Sequence, residues 1–278
     1  VLPARAGAGT RDAAPVVSPP ASASHEASSL RALLQRPPAE LRASVLQALA
    51  RSGDGGRLYA RHLLRQCAAA DAVAGLHAPE GDDPGRLVSP DATDPRAARA
   101  LDRLQKLRAA CAQFTPSERA AATNIVANGG SDADPMLAQL DRAAATPEDE
   151  REQLRQLLGR PDALLLEELA PRLALHTVAG QQGWWFDGLR VPPDVAEPAL
   201  ALLPCAFGLP CDESDPAVWG ACLQGQTCAG DRTALVLQQA AGDDPARRQQ
   251  ILALARRMSQ AVRAGDVDRF MPPPVPVR

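Results

Sequence analysis

The chain has 278 residues and a formal net charge of −3, from 30 Lys plus Arg against 33 Asp plus Glu, with Lys106 as its single lysine. No basic run is present to track a phosphate backbone, so nucleic-acid binding is not expected, and no stretch of ~18 apolar residues is available to span a bilayer. Hydrophobic residues make up 45% but aromatic ones only 3%, so the apolar content is carried by Ala and Leu, the composition of a helical protein able to bury one sizeable core or two small ones.

Residues 1–28, rich in Ala, Ser, Pro and Gly and without periodicity, read as a flexible N-terminal tail, of the kind that separates a folded domain from an upstream signal peptide or lipid anchor. A helical domain is expected over 29–270, with a sub-division at the Gly-, Pro- and Asp-rich connection 75–94, and a Pro-rich tail over 271–278. Helix starts are written in one local grammar, a capping Asp or Thr followed by Pro: Asp94-Pro95, Thr115-Pro116, Asp134-Pro135, Thr146-Pro147, Asp215-Pro216 and Asp244-Pro245. Thr115 with Glu118 adds a capping-box pattern. Apolar stripes such as Tyr59, Leu63 and Cys67, or Ile251, Ala255, Met258 and Val262, follow helical spacing. Helices are predicted over 28–36, 38–51, 56–72, 95–113, 116–128, 135–145, 147–159, 162–181, 194–205, 231–241 and 245–264, with Pro171 kinking or splitting the one around it. The fold class is therefore all-α, an irregular array or bundle of short antiparallel helix pairs stapled by disulfides.

Six cysteines carry the most informative chemistry. Cys205-Ala-Phe-Gly208-Leu-Pro-Cys211 and Cys222-Leu-Gln-Gly225-Gln-Thr-Cys228 repeat one C-x2-G-x2-C pattern. The central Gly permits the left-handed backbone of a tight reversal, which brings flanking thiols within bonding distance. Disulfides Cys205–Cys211 and Cys222–Cys228 are the favoured reading; a crossed pairing such as Cys211 with Cys222, and a four-cysteine zinc site, are the alternatives, the latter disfavoured by spacers longer than those of zinc knuckles. Cys67 and Cys111 each close an apolar stripe, either as a disulfide joining the helices around the 75–94 connection or as buried free thiols. Bonded cysteines imply an oxidising compartment, the periplasm or the exterior of a bacterium.

Nothing marks an enzyme. His25, His62, His77 and His176 are scattered and read as surface or capping residues, and no metalloprotease, serine-hydrolase, nucleotide or dinucleotide motif occurs. Glu167 and Glu168 diverge by ~100° on a helix, so one is expected at the water and the other at the domain edge rather than both on one substrate atom. No catalytic residue, metal ligand or cofactor is assigned. The segment Gln181-Gln182-Gly183-Trp184-Trp185-Phe186-Asp187-Gly188 concentrates three aromatic rings, and Trp184, Trp185 and Phe186 are the candidate anchors for a protein, peptide or glycan, against the alternative that they plug the core. Trp219 is expected to pack against a disulfide.

The short Ala- and Leu-rich helices, the Arg-Gln-Cys67-Ala segment and the block from Leu202 through Cys211 to Cys228 together resemble secreted or lipoprotein-like Cys-containing helical proteins of xanthomonad-type proteobacteria, loosely similar to tetratricopeptide helix pairs. That group has no agreed activity, so the resemblance implies compartment and fold more than function. The expected function is a non-catalytic extracytoplasmic interaction or scaffold protein whose partner is another protein or peptide. The alternatives are a periplasmic chaperone-like or toxin-neutralising partner, and a cell-wall hydrolase with a lone acidic residue.

Overall fold

The computed structural model describes residues 30–76, 94–128, 134–141, 146–178 and 181–273. The tail 1–28, most of the 75–94 connection with His77, and residues 274–278 lie outside them. Two 3₁₀ turns, Ala32–Gln35 and Pro38–Glu40, lead into α1 (Leu41–Leu49) and then α2 (Gly56–Leu76). There follow α3 (Pro95–Cys111), α4 (Pro116–Asn128), α5 (Pro135–Asp141), α6 (Pro147–Gly159) and α7 (Ala163–Leu173). Three strands, β1 (Leu175–Val178), β2 (Gln181–Phe186) and β3 (Leu189–Val191), precede α8 (Pro193–Ala201), α9 (Leu203–Ala206), α10 (Pro216–Leu223), α11 (Arg232–Ala241) and α12 (Pro245–Ala264).

The Asp/Thr-Pro grammar operates as read. Asp94, Asp215 and Asp244 accept from first-turn amides at 2.8–3.0 Å, and Thr146 forms a reciprocal capping box with Asp149. Thr115 and Glu118 form a second one, through bonds of 2.9 and 3.2 Å. Asp134 does more than cap: one carboxylate oxygen takes the amides of Met136 and Leu137, while the other takes the Arg57 amide at the start of α2. A buried carboxylate is thereby satisfied by three donors, tying two helix N-termini together.

Helix α2 is the hub. Tyr59, Leu63, Cys67 and Ala70 recur at helical spacing and are all buried, so one face of α2 seats against α1, α3, α4, α7 and α10. The Tyr59 hydroxyl donates to Asp162, 2.6 Å away, which also caps α7 through the Leu164 and Leu165 amides. Burial, with the Asp162 carboxylate beside it, raises the tyrosine pKa well above its ordinary value. At the other end of the chain, Ile251, Ala255, Met258 and Val262 turn the buried stripe of α12 toward α8, α9 and α11.

The protein is predominantly helical but not all-α. The helix expected over 162–181 stops at Leu173, two residues after Pro171, which sits near its end and does not split it. The chain then forms an antiparallel sheet in the order β1-β2-β3, with Leu175 opposite Trp184 and Phe186 opposite Leu189. The physical reason lies in Asp187-Gly188, whose φ values of 54° and 70° make the two-residue hairpin turn that matches strand twist. Asp187 also clamps the hairpin to the C-terminal region. Its carboxylate pairs with Arg257 and Arg269, and its amide donates to the Arg269 carbonyl at 2.7 Å.

Smaller corrections have local causes. The segment expected as a helix over 28–36 is largely a 3₁₀ turn, and the one over 194–205 divides at Leu202, where Pro204 opens the new helix α9. The Asp215-Pro216 start launches an eight-residue helix, α10, that the apolar periodicity had not delimited.

Candidate functional site

Three disulfides join the six cysteines as Cys67–Cys111, Cys205–Cys211 and Cys222–Cys228, with Cα separations of 5.7, 5.7 and 4.3 Å. The first closes 44 residues of sequence and locks α2 to α3, contributing about 4 kcal/mol on the chain-entropy model. Among the described residues no group of His, Cys, Asp and Glu is arranged to hold a metal ion, and no helix is long and apolar enough to cross a membrane.

The aromatic segment is not an exposed patch. Phe186 is 2% exposed and meets Phe270 edge-on at 5.2 Å, with Arg257 and Arg269 stacked over its ring. Trp184 and Trp185 are half-buried in β2, Trp184 packs on the core, and both indole N–H groups are buried without an acceptor among the described residues. The exposed apolar residue of the hairpin is Leu189, on β3. Trp219, at 2% exposure, packs in the main core with Cys222.

The histidines depart from their expected surface roles. His176 is buried on β1, its Nε2 hydrogen-bonded to the Phe270 carbonyl at 2.7 Å and its Nδ1 3.2 Å from Glu150, so it bridges the sheet to α6 and the C-terminal turn. His62, half-buried on α2, lines a cavity of about 240 Å³ between the N-terminal 3₁₀ segment, α2, α7 and the stretch from Leu209 to Ala217. Burial pushes its pKa down to about 4, aided by Arg232 and Arg65 and opposed by Asp215 and Glu168, so the ring is neutral at neutral pH.

The cavity floor is an ion-pair network. Glu167 and Glu168, expected at the water and the domain edge, both enter it. The Arg232 guanidinium gives Nε to Asp215 at 2.5 Å and its two Nη groups to the Glu167 carboxylate at 2.6 and 3.1 Å. That fork geometry holds one cation between two anions. Burial opposes the charge on Arg232, but the two carboxylates outweigh it and raise the arginine pKa further. Asp215 caps α10 with its second oxygen, and the Arg232 amide donates to the Cys211 carbonyl at 2.7 Å. The first cysteine loop, α7, α10 and α11 therefore converge on one residue, Arg232. Glu168, on the same lining, pairs with Arg65 and, at 3.4 Å, with Arg61, both on α2.

Apolar walls rise from this floor: Leu34, Pro37 and Leu41 on one side, Leu209 and Pro210 on the other. Ser44 also lines the cavity; it is 1% exposed and its hydroxyl has no hydrogen-bond partner among the described residues. Arg36 and Arg103 are also on the lining. The arrangement presents a shaped, partly apolar hollow with fixed charges beneath it. Of this site the sequence had exposed Glu167, Glu168 and His62, none in its true role, and Asp215, read correctly as a helix cap but not as a partner of Arg232. Their partners lie far along the chain, Arg232 being 65 residues from Glu167, so no local spacing could join them.

No protein-family model, curated protein or solved structure matches the chain.

Proposed function

We propose that this chain is a non-catalytic extracytoplasmic binding protein, whose partner is another protein or a peptide and whose recognition element is the cleft around Arg232. The observation that carries the reading is the saturation of the cleft floor: Glu167, Glu168 and Asp215 are each engaged by arginine, so the floor offers fixed shape and fixed charge rather than a free acid. Three disulfides support an oxidising location, since such bonds persist outside the reducing cytosol. The Cys205–Cys211 loop supplies one cleft wall, through Leu209 and Pro210, so covalent closure and recognition fall on the same stretch of chain.

Photo-crosslinking in the cells that make the protein tests this reading, with the reactive group at Arg36 on the cleft or at the exposed Arg256 on α12. One discrete adduct from position 36 and none from 256 is the expected result. No position-dependent adduct, or a hydrolytic activity of the purified protein abolished by Glu168→Gln, would remove the proposal. Mass measurement of the alkylated, unreduced protein from those cells checks the compartment: six blocked thiols in place of three disulfides refutes it.

A further inference from the structure

The ligand class can be narrowed from the cleft's own chemistry; this step rests on the proposed function. We propose that the cleft binds a small apolar carboxylate of the size of an N-acylated amino acid, such as the free C-terminal residue of a peptide.

Volume sets the size. At about 240 Å³ the cavity exceeds the 150 Å³ that holds benzene in an engineered core, and falls below the volume of sites for drug-sized ligands. Charge sets the sign. Four arginines, Arg36, Arg65, Arg103 and Arg232, line the cavity against three carboxylates, Glu167, Glu168 and Asp215. Arg232 and Arg65 are consumed by those carboxylates. Arg36 pairs only loosely, with Glu40 at 3.8 Å, and Arg103 acts on Asp212 without a carboxylate within 4 Å among the described residues. These two guanidiniums are the less tightly engaged of the four, so an anion can recruit them, and their planar fork suits a carboxylate.

The walls and the remaining polar groups set the rest. Leu34, Pro37, Leu41 and Leu209 offer an apolar surface for a side chain, which a bare inorganic anion would leave unused. The Ser44 hydroxyl, buried on the lining of this cavity, has no hydrogen-bond partner among the described residues. A buried hydroxyl left unbonded forfeits its hydration without replacement, and a ligand amide reaching it recovers that loss. An N-acyl group next to the carboxylate supplies such an amide, with the neutral His62 ring on the same lining.

Isothermal titration of the oxidised full chain with N-acetyl-leucine, N-acetyl-leucinamide and inorganic phosphate is the test. N-acetyl-leucine is expected to saturate, with the uncharged amide and phosphate each at least about tenfold weaker. Arg36→Gln with Arg103→Gln should weaken the acid by about tenfold and erase its advantage over the amide, while Ser44→Ala weakens acid and amide alike by about fivefold. Thermal unfolding of each variant confirms that it folds. Acid and amide binding equally, phosphate competing at equal strength, or no saturation by any probe would each overturn the inference. A position-36 crosslink that persists when all three probes fail would sink the ligand class alone and leave the binding reading standing.

Discussion

The two C-x2-G-x2-C loops share a spacing, a disulfide pairing and a left-handed central glycine, with φ of 99° at Gly208 and 77° at Gly225. Their surroundings differ. In the first loop Phe207 and Leu209 are buried, and Arg263 stacks over the Phe207 ring at 5.2 Å. In the second, Leu223 is buried next to Cys222, but Gln224, Gln226 and Thr227 are exposed. The cysteine framework sets the backbone of both reversals, but the residues between the cysteines decide whether the loop becomes a wall of the cleft or a solvated cap. One motif, repeated, has been put to two uses by three apolar-to-polar differences.

The largest effect expected from this contrast is at the loop interiors. Phe207→Ala should cost about 3–5 kcal/mol in chemical denaturation, as the loss of a buried ring leaves a cavity, while Gln226→Ala stays within about 0.5 kcal/mol. Equal costs would erase the distinction between a packed and a solvated loop.

The disulfides themselves sharpen the point, because loop closure treats them alike. Each spans six positions, so on the chain-entropy model removing either pair costs about 2.2 kcal/mol. Replacing Cys205 and Cys211 by Ala should therefore destabilise about as much as replacing Cys222 and Cys228. Only the first replacement should loosen the cleft, read as faster amide exchange at Leu209 and Arg232, whose amides are held by Pro204 and Cys211. Faster exchange at both residues in the second variant would show that the second loop also supports the cleft.

How much of this was legible follows the range over which each signal acts. Asp94, Thr115, Asp134, Thr146, Asp215 and Asp244 announce helix starts because a cap bonds within its own first turn. The paired cysteine loops are legible for the same reason, since six positions and a glycine describe a complete reversal. The hairpin was legible in principle: Asp187-Gly188 between apolar runs is a strong local turn signal, outvoted by the helical character of the preceding leucines. The cleft was not legible. Arg232, Asp215 and Glu167 meet only because α7, α10 and α11 pack together, and the burial of His62 and His176 is likewise a tertiary fact.

Acid stability probes the cleft side of the comparison. The folded protein holds His62 neutral down to about pH 4, whereas the unfolded chain protonates it near 6.5. Over that window the unfolded state binds the extra proton, so stability falls as pH drops from 6.5 to 4 and levels off below. His62→Gln should remove about 2 kcal/mol of this acid sensitivity, discounting for the partial exposure of the ring. The measurement is the difference between the two proteins in urea midpoint across the window. A constant difference would show that the ring is as free to protonate in the fold as in the open chain.

The smallest effect separates the two glycines. At either position an added Cβ must accept left-handed backbone, which costs about 1–2 kcal/mol. At Gly225 the new methyl meets open space, so that backbone term is the whole cost. At Gly208 it would lie 3.1 Å from Cδ of Arg31, a contact tighter than a Cβ normally tolerates. The arginine can swing aside, but Arg31 also acts on the Tyr59 hydroxyl, so its displacement reaches the hub helix. Gly208→Ala is therefore expected to exceed Gly225→Ala by about 0.5–1 kcal/mol, with the excess vanishing when Arg31 is already Ala. If the excess survives that double substitution, the first loop differs from the second in its backbone, and the side chains around it are not what sets them apart.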